Sequence, residues 1–352
     1  MNMRTVIKFS LSALGMILMT VCILLAVLII PGIPKSTENL QFKGYILLPK
    51  GKGAVGAIRL LDYLTVVDRN LFVTNANNGD VYNVNLTLGS VPGAVDVSVL
   101  SLEPATHGVA VDPVTHLAFV TRSGANTVDV FDPKAMRLLQ RIPVADDPDA
   151  ILYDPYDKLI YAASGDARVA TLIDPVTKIK IGVIPLGGEP EFPAFDPRTK
   201  MIYQNLKDTN QVAVVDVAKR LVVQRWSLPG CDLPTSATID AAERRLFVLC
   251  GFSAKFLALS LDTHQVVASL PIGALSDSVA YDPELRRIYT AGMEGTMSVI
   301  QEDSPNVYHL LHSVNLHFYA HTLAIDPLTH RVYVGYGGLF IQPRLAVFAA
   351  VR

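Results

Sequence analysis

The stretch Gly108-Val109-Ala110-Val111-Asp112-Pro113-Val114-Thr115-His116-Leu117-Ala118-Phe119-Val120-Thr121 decides the fold. An apolar strand runs into Asp-Pro, where the proline fixes the turn backbone and withholds a ladder hydrogen bond. A second strand follows, with an aromatic seven residues after the Asp. The phrase recurs at Asp154, Asp196, Asp240, Asp282 and Asp326, with Tyr161, Tyr203, Phe247, Tyr289 and Tyr333 in the aromatic place. An earlier copy at Asp68 has lost three turn residues and sets Phe72 only four later. The seven Asp residues are 44, 42, 42, 44, 42 and 44 apart. A period of roughly 40 to 45 residues with strand texture throughout predicts one four-stranded blade per repeat. The expected architecture is an all-β, seven-bladed β-propeller over residues 41–352, one closed ring in spite of a length that alone suggests two domains.

Within the quoted repeat, Ser123-Gly124-Ala125-Asn126 turns into a third strand at Thr127 to Phe131, and Arg137 to Ile142 is the outermost strand. The aromatic is expected to wedge between blades. The last repeat offers Arg344 to Ala349 as a third strand and no fourth. Gln41 to Leu48 has strand character and no place in the first repeat. Residues 41–48 are therefore predicted to complete blade seven, which removes an open sheet edge.

Phe72-Val73-Thr74-Asn75 and Phe119-Val120-Thr121-Arg122, each followed by Gly/Asn turns, resemble the Tyr-Val-Thr-Asn (YVTN) repeats of seven-bladed bacterial and archaeal propellers. The resemblance runs from about Gln41 to Arg352. It implies the fold and no single activity, since related propellers include surface proteins, lactonases, lyases and haem-d1 domains. Phe247-Val248-Leu249-Cys250 and Tyr289-Thr290-Ala291-Gly292 depart from the motif, so no functional residue carries over. Trp226 is the only Trp and precedes Ser227, which sets aside the Trp-Asp class of propellers.

Arg4 and Lys8 precede an uncharged stretch from Phe9 to Pro34, and its core, Ala13 to Ile30, is long and apolar enough to cross a bilayer. Residues 1–34 are expected to be a cytoplasmic stub and transmembrane helix, 35–40 a linker, and the propeller exported to the periplasm or outside. Ala26-Val27-Leu28-Ile29-Ile30-Pro31 has no small-x-small site, which favours an uncleaved anchor; cleavage would make the protein secreted. Thirty basic against 32 acidic residues, a net charge of -2, exclude the basic footprint of a nucleic-acid binder.

Five residues before each repeat Asp, the innermost strand begins near the mouth of the central channel. The residues there are Tyr63, His107, Asp149, Glu191, Thr235, Asp277 and His321, all polar or semi-polar. Two steps on, Thr65, Val109, Ile151, Pro193, Ala237, Val279 and Leu323 are mostly apolar, so the polarity is confined to one layer. Imidazoles and carboxylates in one ring are candidate ligands for a divalent metal such as Ca, Zn or Mn; His107, Asp149, Glu191, Asp277 and His321 are the metal-binding set. A solvated strand end is the bland account of the same residues. His309, His312 and His317, in the loop-rich approach to blade seven, resemble a metal tract only loosely and are expected to lie on a solvated strand. Cys231 and Cys250 flank the turn at Asp240 to Glu243, where antiparallel pairing brings them together, and an exported domain would oxidise them to a disulfide.

These features predict a membrane-anchored scaffold that binds a protein or small-molecule ligand at the channel-mouth face. The rival is a metal-dependent lactonase, lyase or hydrolase. A third reading is a haem-d1-like cofactor propeller with His107 or His321 as axial ligand.

Overall fold

The computed structural model describes residues 33–49, 58–87, 95–339 and 342–351. Seven four-stranded antiparallel sheets follow one another in sequence. In blade two, the strands are Thr106–Val111, Ala118–Arg122, Thr127–Asp132 and Arg137–Pro143, from the channel outwards. The predicted membrane-spanning segment falls outside the described residues, apart from its last two positions. Among the described residues no helix is long and apolar enough to cross a membrane.

Blade seven takes Leu323–Asp326, Arg331–Tyr336 and Arg344–Ala350 from the end of the repeat array, and its outermost strand is Leu40–Leu47. Leu40, Ile46 and Leu48 are buried there, and Phe42 packs on Phe348 with ring centroids 5.5 Å apart. Each of those aliphatic side chains contributes about 1.5 to 3 kcal/mol by leaving water, so this one strand clasps the ring.

The repeat Asp works twice. Its Oδ1 accepts backbone N–H groups two or three residues on, as Asp240 does from Ala242 and Glu243. The αL residue that ends each turn, such as Arg244 or His330, is the price of this tight geometry. The other oxygen reaches the next blade: Arg244 donates to Asp196 Oδ2 at 2.6 Å, Tyr281 to Asp240 at 2.9 Å and Arg69 to Asp326 at 2.9 Å, and His330 Nδ1 lies 2.8 Å from Asp282. The ring is thus stitched by buried carboxylates on the face away from the channel mouth.

Blade one breaks the count. Phe72 pairs with Thr65, whereas Phe119 pairs with Ala110, two residues before Asp112. The position equivalent to the repeat Asp is therefore Val67. Asp68 lies one residue later in a tight hairpin, with positive φ at both Asp68 and Arg69.

Candidate functional site at the channel mouth

The innermost strand of each of the first six blades carries a register shift close to its start, between Leu61 and Leu64, Thr106 and Val109, Pro148 and Ile151, Pro190 and Pro193, Pro234 and Ala237, and Ser276 and Ser278. Bulges re-aim side chains at strand ends. The first bulged residue is His107, Asp149, Glu191, Thr235 or Asp277 in blades two to six. In blade one it is Asp62, which corrects the sequence expectation of Tyr63: counting from Asp68 slips the register by one residue. Tyr63 instead shares the next position with Phe192, and the two rings pack at a 31° tilt with centroids 4.3 Å apart, joining blade one to blade four across the channel.

Around this aromatic floor, His107 Nδ1 lies 2.6 Å from Asp62 Oδ2 and 3.4 Å from Asp149 Oδ1. Its Nε2 lies 2.9 Å from Ser123 Oγ, at the start of the short turn Ser123–Ala125. Tyr63 donates its hydroxyl to Asp149 at 3.1 Å. On the other side, Lys207 pairs with Glu191 at 2.7 Å and with Glu189 at 2.6 Å. His321 Nδ1 lies 3.1 Å from Asp277, while its buried Nε2 has no hydrogen-bond partner among the described residues. Thr235 serves the frame, donating to the Ser276 carbonyl at 2.8 Å and so tying blade five to blade six.

Proton affinities at the mouth are displaced together. Burial, more than any one neighbour, pushes Asp149 up to about 6, with Asp62 and Asp277 adding to it against the charge of His107. Burial and Asp149 push Glu191 up to about 8 in spite of Lys207. Burial opposes a charge on His107, but its bond to Asp62 and the charges of Asp149 and Asp62 prevail and raise it to about 9. Asp277 likewise outweighs burial at His321 and raises it.

The five-member metal set predicted from sequence does not converge as one group. Asp62, His107 and Asp149 offer ligand atoms that all lie within 4.8 Å of one another, and Glu191, Asp277 and His321 stand outside that group. Sequence reasoning missed Asp62, Ser123, Phe192 and Lys207. Only Asp62 carried a signal, in the shortened turn of blade one. His309 and His312 sit on the outermost strand of blade six, Val307–Asn315, as the solvated-strand account has it. Cys231 and Cys250 are joined, with Cα atoms 5.1 Å apart.

No protein-family model matches the chain, and no curated protein does. Among solved structures the chain is similar to one described as Kuenenia stuttgartiensis hydrazine synthase, with 16% identity and a TM-score of 0.70, covering 88% of this chain and 99% of that one. At this identity the likeness shows the propeller fold alone.

Proposed function

We propose that this chain is an exported, membrane-tethered propeller of the YVTN type whose channel-mouth cup binds a divalent cation and whose surrounding loops bind a partner. One observation carries the reading: Asp62, His107 and Asp149, from three consecutive blades, place their ligand atoms within 4.8 Å of one another in a half-buried cup. Like charges crowded away from water raise each other's proton affinity, and a bound cation relieves that repulsion. Mixed imidazole and carboxylate donors favour Zn or Mn over Ca. The fit requires a small adjustment, since His107 Nδ1 and Asp62 Oδ2 are 2.6 Å apart and ligands of a tetrahedral ion at about 2.1 Å stand roughly 3.4 Å from each other. The imidazole must also release its proton. Export is supported by the Cys231–Cys250 bond, which persists in oxidising compartments, and by the apolar stretch up to Ile30.

A hydrolase is the second reading. Asp62, His107 and Ser123 are connected in the order carboxylate, Nδ1, Nε2, hydroxyl, the connectivity that activates a serine nucleophile. It ranks second because an imidazole raised to about 9 is already protonated at neutral pH and accepts no proton from Ser123. The haem-type reading is left with His321 as ligand, both nitrogens of His107 being engaged.

Thermal unfolding of the full chain in detergent tests the assignment. Zn or Mn at a hundredfold excess over Kd stabilises by about 2.7 kcal/mol, an increase of several degrees in Tm, and Asp62→Asn with Asp149→Asn abolishes it. An unchanged Tm with Zn, Mn and Ca overturns the cation reading. Esterase activity that rises through pH 9 and is lost in Ser123→Ala would move the hydrolase to first place.

A further inference from the structure

Three departures in blade one meet at one place, on the face opposite the channel mouth. Its turn is three residues short, so the corner that the other blades fill with a longer turn, Asp-Pro in five of the six, is open. Val67 stands where the other blades carry Asp, so His116, the positional equivalent of Arg244 and His330, does not find a turn carboxylate at the corresponding place in the preceding blade. The ring of His116 makes no hydrogen bond among the described residues. Finally, Asn83 pairs with Phe72 at a position where the corresponding partners of Phe119, Tyr161, Tyr203, Phe247, Tyr289 and Tyr333 are Val130, Leu172, Val214, Ala258, Val299 and Val347. The Oδ1 of Asn83 is buried and has no hydrogen-bond partner among the described residues. Its Nδ2 donates to the Pro133 carbonyl of blade two at 3.0 Å, so this polar side chain in an otherwise aliphatic layer ties the two blades at the cleft.

Between blades one and two these features enclose a cleft of about 550 Å³, with Phe72 in its floor and Asn83, Ser98, His116 and Lys134 among its polar walls. That volume lies in the range of small-molecule sites. We propose that this cleft is a binding site for a neutral, polyhydroxylated ligand, a saccharide of one or two rings. The polar groups that line it offer both roles: Ser98 Oγ donates or accepts, and His116 offers one of each when neutral. Hydroxyl groups, which both donate and accept, match such a set. The apolar patches of Val111, Leu117 and Pro133 suit the C–H face of a sugar ring. An anion is disfavoured because Asp68, Asp96 and Asp132 line the same cleft, against only Lys134 and His116. A metal ion is not the match either, because the one group of gathered metal ligands among the described residues lies at the channel mouth.

The site is independent of the cation cup, and the test keeps them apart. The full chain in detergent is applied to an array of neutral mono- to tetrasaccharides, with inorganic phosphate and citrate as anionic probes, and hits are measured by calorimetry. The expected result is retention of a neutral saccharide, weakened at least tenfold by Ser98→Phe, which fills the cleft, and at least threefold by His116→Ala, while Asp62→Asn leaves it unchanged. The His116 ring makes no hydrogen bond among the described residues, so its variant decides the matter should Ser98→Phe unfold. Binding of no neutral saccharide, binding of the anions only, or saccharide binding indifferent to both cleft variants overturns the proposal.

Discussion

The innermost strands of this propeller carry a polar ring at each end, and the two behave in opposite ways. At the turn face, Asp196 is fully buried, yet its carboxyl lies below the usual range: burial raises it, and Arg244, Thr199 and the Arg198 N–H together lower it further. At the mouth, Asp149 and Glu191 are pushed up to about 6 and about 8. Burial is the largest influence on all three. What differs is the supply of partners. The repeat Asp is met by N–H groups of its own turn, which the repeat regenerates, and then, Asp154 excepted, by a donor from the next blade. A mouth carboxylate faces other mouth carboxylates, answered by Lys207, the imidazoles and the Tyr63 hydroxyl. One ring is built to hold charge, the other to exchange it.

The sharpest way to break this comparison is to remove a carboxylate from the turn face. Asp196→Ala leaves Arg244, which is 8% exposed, facing Asp262 alone across 3.2 Å, and frees the turn N–H of Arg198. Truncating one partner of a buried pair destabilises by about 3 to 5 kcal/mol. Denaturant unfolding that shows a loss below 1 kcal/mol would mean that the turn ring is no more structural than the mouth.

The same substitution logic at the mouth gives a smaller effect with a pH signature. The folded state holds a proton on Glu191 up to about 8, whereas the unfolded chain releases it near the ordinary 4.5. Folded protein thus binds more protons than unfolded between those values, so this group's contribution to stability is present at low pH and is lost as pH rises through about 8. Glu191→Gln removes that slope, a difference of up to about 3 kcal/mol between pH 5 and pH 8, and Lys207 keeps Glu189 as partner. Denaturation midpoints at pH 5, 6.5 and 8 check it. Equal slopes in the two proteins would show that Glu191 is ionised throughout, like Asp196.

The asymmetry also explains what could be read from the chain. The repeat Asp, its proline and the aromatic seven residues on are visible because the same local hydrogen bonds recreate them every 42 or 44 residues. The clasp of Leu40–Leu47 against Arg344–Ala350 was legible because an unpaired strand at one end matched a missing strand at the other. The mouth was legible only as a polar layer. Its pairings cross between blades, where sequence distance carries no information: Tyr63 meets Phe192 and His107 meets Asp62 because the ring closes. Asp62 was missed for a specific reason, since a count anchored on Asp68 inherits the one-residue slip of a shortened turn.

The smallest effect sharpens the comparison from within the turn ring, because one of its carboxylates lacks a donor from the next blade. Asp154 Oδ1 accepts from Tyr156 and Asp157, but its Oδ2 is buried without a partner among the described residues. Burial accordingly raises Asp154, against the two turn N–H groups. The missing donor can be identified by register. Tyr281, opposite Ile288, reaches back to Asp240, and Tyr153, opposite Ile160, interacts with Asp112 in the same way. The corresponding residue facing Asp154 is Phe195, opposite Ile202, which has the ring and lacks the hydroxyl. Phe195→Tyr adds one oxygen aimed at an unsatisfied carboxylate, and a hydrogen bond to a charged group contributes about 1.5 to 3 kcal/mol before the hydroxyl's own desolvation is subtracted, leaving a net gain of about 1 kcal/mol. Guanidinium unfolding at pH 7 measures it, and the gain must shrink as pH falls through the Asp154 titration, because a protonated Asp154 no longer needs the donor. A Phe195→Tyr protein that is destabilised, or stabilised equally at pH 3 and pH 7, would show that the turn ring tolerates an unpaired carboxylate as the mouth does.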